Sequence, residues 1–154
     1  MTSDGISTKD WDVVKDFAAK IANAICGNKD LASHNLTMDL FRYLEIIEKK
    51  YGTLPSILAT RADYIRETSK RVKLLEQAWG LAKKMSDKAN LVLVSSSLAE
   101  FFIEELGKAP EGKKWLSLLE ESLEEHWDDD EYKELQRLTR CLERLQKNSV
   151  GRAD

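Results

Sequence analysis

The sequence predicts an all-α fold of about seven antiparallel helices, stacked as helical hairpins into a short superhelix or a bundle. Apolar residues recur at three- and four-residue steps along most of the chain, which is the period of one face of an α-helix. The 154 residues include only seven Gly and two Pro, so few breakers interrupt these patterns. The alternating β-branched runs that strands require do not occur. The 42% apolar content supports a hydrophobic core, and the length suits one domain over residues 1–154.

Each helix is assigned from its apolar face and from the signals at its ends. Gly27 and Gly52 stop the first two helices, Thr37 is a candidate N-cap for the second, and Pro55 suits the first turn of the third. The predicted helices span residues 10–26, 37–51, 55–68, 70–85, 89–106, 113–126 and 130–147. The predicted core residues are Phe17, Ile21, Phe41, Leu44, Leu58, Ala62, Leu75, Leu98, Phe102, Leu119 and Leu142.

The segments between and beyond the helices are short. Residues 107–112, which include Pro110, are the clearest predicted loop, and residues 1–9 and 148–154 are predicted to be disordered. No apolar stretch approaches the length of a membrane helix, and no export signal is recognisable, so a cytoplasmic location is predicted. Cys26 and Cys141 lie on apolar helical faces, which predicts buried free thiols.

Residues 54–145 carry a repeated pattern of large and small apolar side chains. Two successive hairpins supply it: Leu58, Ala59, Ala62, Leu75 and Ala78, then Leu98, Ala99, Phe102, Leu119 and Ser122. This pattern resembles the tetratricopeptide (TPR) repeat. It departs from that family where Arg71 and Trp115 replace a small residue, and where the two repeats begin 40 residues apart and not about 34. The resemblance implies a concave surface that binds a protein or peptide, with Ala62 and Ala99 at close helix contacts.

No residue pattern in the chain predicts catalysis. The two histidines, His34 and His126, lie in no metal-binding or nucleophile motif, and glycine-rich phosphate loops are missing. A metal site at His126 and the three aspartates after Trp127 lacks a second set of ligands at helical spacing. The sequence therefore predicts a protein that is not an enzyme and has no catalytic, cofactor-binding or metal-binding residues.

Charge is the most informative functional signal. Residues 61–89 hold eight Lys or Arg and four Asp or Glu, a net charge of +4, whereas residues 90–134 hold four and thirteen, a net charge of −9. Stacked helices bring such segments together, so part of this asymmetry reflects mutual attraction. The remainder predicts an acidic surface. Trp115 and Trp127 flank this surface, and they are either buried residues that cap the core or exposed contacts for a partner. The predicted partner-binding residues are Glu120, Glu121, Glu124, Trp127, Asp128, Asp129, Asp130, Glu131 and Tyr132.

These features predict a non-catalytic helical module that binds another protein, with no nucleic acid and no membrane as partner. Its small size and acidic character are similar in general style to bacterial toxin-immunity proteins, which implies a basic toxin or nuclease domain as the partner. The alternative is a TPR-like adaptor or chaperone that binds a peptide. A nucleic-acid binder is disfavoured by the net charge of −3, although one basic cluster exists. That cluster comprises Arg61, Arg66, Lys70, Arg71 and Lys73.

Overall fold

The computed structural model describes the backbone of residues 1–150 and the side chains of residues 1–148. Over these residues it contains seven α-helices, one π-helical segment and no strand, which confirms the predicted all-α fold. The elements are α1 Thr8–Cys26, α2 Asp30–Tyr51, α3 Pro55–Asp63, α4 Thr68–Met85, α5 Lys88–Glu100, the π-helical segment Phe101–Glu105, α6 Ala109–Glu125 and α7 Asp129–Val150.

The chain forms two compact units, Met1–Ala78 and a second that begins at Trp79. Helix α4 contains the boundary between them. The single domain over residues 1–154 stays a prediction. Of the tail predicted to be disordered, residues 148–150 continue α7, and residues 151–154 lie outside the described residues.

In the first unit, α1 packs against α2, and α2 against α3. One apolar face of each helix supplies the core: Ile6, Val14, Ile21, Leu40, Leu44, Ile47, Leu54 and Ile57. Phe17 and Phe41, predicted in this core, are only half buried and pack at its edge. The other predicted core residues are buried in their own units.

The N-terminal segment is ordered, in contrast to the disorder predicted for residues 1–9. Ile6 is fully buried, and Ser7 caps α1 by accepting a hydrogen bond from the backbone N–H of Asp10 at 3.2 Å. The buried carboxylate of Asp4 accepts the backbone N–H of Ser56 in the first turn of α3, at 2.8 Å. The segment is therefore held in place because it fills the core and satisfies helix N-termini, which local composition does not reveal.

A polar cluster joins the start of α1 to the end of α2. The carboxylate of Asp10 accepts hydrogen bonds from Lys50 Nζ at 2.7 Å, from the Tyr51 hydroxyl at 2.6 Å and from the Tyr43 hydroxyl at 3.3 Å. The hydrogen bonds from Lys50 and Tyr51 hold the pKa of Asp10 well below its usual range. The cluster therefore fixes the register of the two helices through charge as well as packing.

The second unit is built on three mutually packed helices, α5, α6 and α7. Helix α5 is buried on most of its circumference, and its buried Ser95 accepts the indole N–H of Trp79 at 3.1 Å. The π-helical segment follows α5, with the N–H of Leu106 bonded to the carbonyl of Phe101 five residues earlier. Phe101, Phe102 and Ile103, three consecutive residues, are all buried there. Ala99 is also fully buried.

Several predicted helix ends are confirmed. Gly27 ends α1, Gly52 ends α2 with a φ of +87°, and Pro55 lies in the first turn of α3. The predicted N-cap at Thr37 is wrong, because α2 begins at Asp30 and the Thr37 hydroxyl donates to the carbonyl of Ser33 inside the helix.

The predicted loop over residues 107–112 is mostly helical. Helix α6 begins at Ala109 and carries Pro110 in its first turn, where the missing N–H of proline costs nothing. Gly112 is buried against Ile103 of the π-helical segment, so this glycine serves close packing and not chain reversal. Gly107, with a φ of +59°, supplies the actual turn.

The prediction of buried thiols is wrong for Cys26, which is free but exposed. Cys26 lies two residues beyond the buried Ala24, or about 200° around the helix, and so faces away from the core. Cys141 is free and half buried, with its sulfur 3.6 Å from the carboxylate of Glu104.

Candidate protein-binding surface

The turn between α6 and α7 is shaped by local capping. Helix α6 buries Trp115, Leu119 and Leu123 on one side and ends at Glu125. Oδ1 of Asp128 then accepts the backbone N–H groups of Asp130 and Glu131, each at 3.0 Å, and so caps the start of α7. Carboxylates at a helix N-terminus are stabilised by the helix dipole, which offsets part of their mutual repulsion.

Two aromatic side chains stand out from this turn, and we call them the aromatic pair, Trp127 and Tyr132. Trp127 is 60% exposed and Tyr132 is 37% exposed. Their ring centroids lie 4.7 Å apart, and the indole N–H of Trp127 donates to Oδ1 of Asp129 at 2.7 Å. The Trp127 ring is therefore held in one position while much of its apolar surface faces solvent. Large, rigid and amphipathic side chains of this kind dominate the energetics of protein interfaces.

The structure brings together only part of the predicted partner-binding set. Asp129 accepts the indole N–H of Trp127, and the carboxylate of Asp128 accepts the backbone N–H of Asp130 in the same turn. Glu131 differs, because it is half buried and its Oε2 is enclosed without a hydrogen-bond partner. Burial raises the pKa of Glu131 above its usual value, against a hydrogen bond from Ser96 that lowers it. Glu131 therefore offers little surface to a partner.

The three predicted glutamates of α6 are exposed but do not all share one face, because Glu120 and Glu124 are four residues apart on one face and Glu121 points elsewhere. Glu120 borders a groove that also contains Tyr132. Glu121 lines a different cavity of about 270 Å³ with Trp79 and Lys83. Consecutive helical residues point about 100° apart, so neighbours in sequence diverge onto different surfaces. Glu124 is exposed near the end of the helix.

Trp115 belongs to the interior. It is 4% exposed and packs edge-on against Trp79, with ring centroids 5.7 Å apart and planes at 80°. Of the two tryptophans that flank the acidic helix, only Trp127 is therefore available to a partner.

Much of the remaining acidic excess is paired within the unit. Arg137 of α7 donates to the carboxylates of Glu104 and Glu134 and lies 3.6 Å from Glu100. These hydrogen bonds lower the pKa of Glu104, whereas burial and the neighbouring Glu134 raise the pKa of Glu100. Arg137 thus neutralises part of the acidic charge of this region, while Asp129 and Asp130 at the α6–α7 turn are exposed.

A second feature, which the sequence does not predict, is a groove of about 570 Å³ between α6 and α7. We call it the α6–α7 groove, and its lining residues are Lys113, Leu116, Ser117, Glu120, Tyr132, Leu135, Gln136, Thr139, Arg140 and Leu142. Of the four α6 residues that line it, only Leu116 is apolar, so no apolar pattern in the sequence marks this face of α6.

Among the described residues, no group of three or more acidic, histidine or cysteine side chains could hold a metal ion. None of the helices over residues 1–150 is both long and apolar enough to cross a membrane.

The fold and this surface define an all-α protein with an exposed acidic and aromatic turn. Compared with protein-family models, with curated proteins and with solved structures, the chain matches none. The resemblance to TPR repeats and to immunity proteins therefore rests on the residues of this chain alone.

Proposed function

We propose that this chain is a non-catalytic protein-binding module that uses the acidic turn, which comprises Trp127, Asp128, Asp129, Asp130 and Tyr132, to bind a basic surface on another protein. The observation that carries the proposal is the exposed Trp127, stacked on Tyr132 and hydrogen-bonded to Asp129 within a set of carboxylates. An exposed tryptophan contributes nothing to the core, while its fixed position lowers the entropy lost when a partner covers it.

The charge around the aromatic pair favours a basic partner. Asp129 and Asp130 are exposed, and Asp130 pairs with Lys133, which is also exposed, at 3.0 Å. Such exposed pairs are weak and screened, so they leave the negative potential largely in place. This potential speeds the encounter with a basic protein and repels nucleic acid.

Within this class, the role that best fits a small acidic protein is an immunity protein that covers and neutralises a basic toxin domain. A TPR-like adaptor is the second candidate, because the α6–α7 groove could hold a peptide. The basic cluster near α3 and α4 gives less support to nucleic-acid binding. Arg61 is engaged by Glu48 at 2.6 Å, and Lys70 by Glu67 at 2.8 Å.

A charge-matched pair of variants tests the acidic turn against a partner captured from the native host. The site variant combines Asp128→Asn, Asp129→Lys and Asp130→Lys. Asparagine is used at position 128 because its side-chain oxygen can still cap α7. The control combines Asp12→Asn, Asp16→Lys and Asp39→Lys, which makes the same change in net charge at exposed residues of the first unit.

The site variant should associate at least roughly tenfold more slowly at low salt, and its rate should depend less on salt, because steering by the acids is lost. The control should differ little from the parent in both respects. Surface plasmon resonance over a salt series measures both quantities, and circular dichroism checks that the helices persist. A site variant that associates as fast as the control at low salt would show that the acidic turn is not the binding surface.

A further inference from the structure

The α6–α7 groove has the shape of a seat for a short helix. Its floor is apolar, with Leu116 and Leu142 buried and Leu135 half buried. At 1.5 Å per residue it extends about 15 Å along α7, from Tyr132 to Leu142, and about 10 Å along α6, from Lys113 to Glu120. The stretch that both helices line equals roughly two helical turns. Two antiparallel helices joined by a short turn form its walls. Its rims are therefore rows of side chains and not the exposed backbone edge of a sheet.

Other modes of peptide recognition fit the groove less well. An added β-strand needs an exposed sheet edge, and the described part of the chain contains no strand. A polyproline segment needs a groove lined with aromatic rings, and Tyr132 is the one aromatic residue among those that line this groove. An amphipathic helix needs only an apolar floor between polar rims, which is what α6 and α7 provide.

The charged residues on the groove are sorted along its length. Glu120 lies at the end near the turn, beside Tyr132 and close in sequence to the acidic turn. Lys113 lies about 10 Å further back along α6, at the same end as Arg140 of α7, because the two helices run antiparallel. The groove is therefore acidic at one end and basic at the other, and a complementary occupant carries the opposite order of charge.

The groove is also continuous with the proposed interface. Tyr132 lines the groove and stacks on Trp127, so a partner that covers the aromatic pair also reaches the acidic end of the groove. We propose that the occupant is a two-turn amphipathic helix of the partner, with its basic end at Tyr132 and its acidic end at Lys113 and Arg140. This proposal rests on the proposed function, and it adds the secondary structure and charge order of the bound segment.

Three synthetic peptides and the full chain test it. The first is an alanine-rich helical peptide with leucines on one face, lysines at one end and glutamates at the other. The second has the same composition and the same charged ends, but its leucines are spread around the helix. The third is a flexible Gly-Ser-Lys peptide without leucine, which tests attraction to the acidic turn alone. Fluorescence anisotropy of labelled peptides gives each Kd.

Two substitutions of the same residue type on α7 supply the structural control. Gln136→Trp places an indole in the groove, because Gln136 is exposed and lines it. Gln146→Trp places the same side chain at an exposed position that is not among the lining residues. Circular dichroism verifies that both variants keep the helical content of the parent.

We expect the amphipathic peptide to bind at least roughly tenfold more tightly than the scrambled one, since only its leucines can reach the floor together. Gln136→Trp should remove that advantage, and Gln146→Trp should keep it. Equal binding of the two helical peptides overturns the groove proposal, as does an advantage that Gln136→Trp leaves unchanged or increases. If either of these results is found while the flexible basic peptide still binds in a salt-dependent way, the proposed function of the acidic turn stands and only the groove proposal fails. If no peptide binds at low salt, both proposals fail.

Discussion

Substitution of Gly112 by alanine tests a close approach between α6 and the π-helical segment in the second unit. Gly112 lies in the first turns of α6, and a Cβ added there would lie 2.4 Å from Cγ1 of Ile103 and 3.3 Å from its Cδ1. Ordinary carbon contacts are about 3.5–4.0 Å, so the side chain of Ile103 must move by more than an ångström. Ile103 is 4% exposed in the π-helical segment and has little free space into which it can move.

Two effects with opposite signs decide the result. Overpacking a buried contact costs about 1–3 kcal/mol, whereas Gly→Ala in a helix gains up to about 1 kcal/mol from propensity. We therefore expect Gly112→Ala to lower the free energy of unfolding by up to about 2 kcal/mol. Gly80 of α4 is the matched control, because a Cβ added there meets no atom within 4 Å. Gly80→Ala should raise the free energy of unfolding by about 0.5–1 kcal/mol.

Urea unfolding followed by circular dichroism measures both variants, with thermal melts as a second readout. The difference between them should be about 1–3 kcal/mol, and each kcal/mol shifts the Tm of a chain of this size by about 2–4 °C. Adding Ile103→Ala to Gly112→Ala should cost less than the sum of the single changes, because the new methyl group fills part of the cavity. Equal stabilisation by Gly112→Ala and Gly80→Ala would refute the close contact and with it the packing of α6 on the π-helical segment.

Three further outcomes concern the interior and pH. Leu98→Ala removes a fully buried side chain of α5 and should lower the free energy of unfolding by about 2–5 kcal/mol in urea titrations; an unchanged value would show that α5 is not central. Ala99→Leu at an equally buried position should cost about 1–3 kcal/mol by overpacking, and a melt at the parent's Tm would contradict this. Because hydrogen bonds from Lys50 and Tyr51 lower the pKa of Asp10, the ionised carboxylate stabilises the fold at pH values above the ordinary aspartate pKa of about 4. This stabilisation is lost as pH falls below that value. The Tm difference between the parent and Asp10→Asn should therefore be largest above about pH 5 and shrink on acidification, and a constant difference would contradict the ion pair.

The helical class was determined by the sequence itself. The apolar period, the scarcity of Gly and Pro, and the stop signals at Gly27 and Gly52 act within a few residues, and each was confirmed at its position. Leu98 and Leu119 were placed in the core by the same local pattern and are fully buried. Such features are predictable because a helix forms from contacts three and four residues apart.

The candidate surface depended on packing between helices. The burial of Trp115 follows from which side of α6 meets α5 and Trp79, whereas Trp127 lies in the turn beyond α6 and is exposed, although both tryptophans flank one acidic stretch. Glu131 turns inward for the same reason, whereas Asp128 stays at the helix end as a cap. Sequence distance does not specify which helix covers which face.

Two features were decided by tertiary structure alone. The order of the N-terminal segment comes from Ile6 in the core and from Asp4 at the first turn of α3, 52 residues away in sequence. The α6–α7 groove lies between two antiparallel helices, with the half-buried Leu135 and the buried Leu116 and Leu142 in its floor. Both depend on contacts between residues far apart along the chain, which are selected by the burial of apolar area in the whole unit and leave no periodic mark in the sequence.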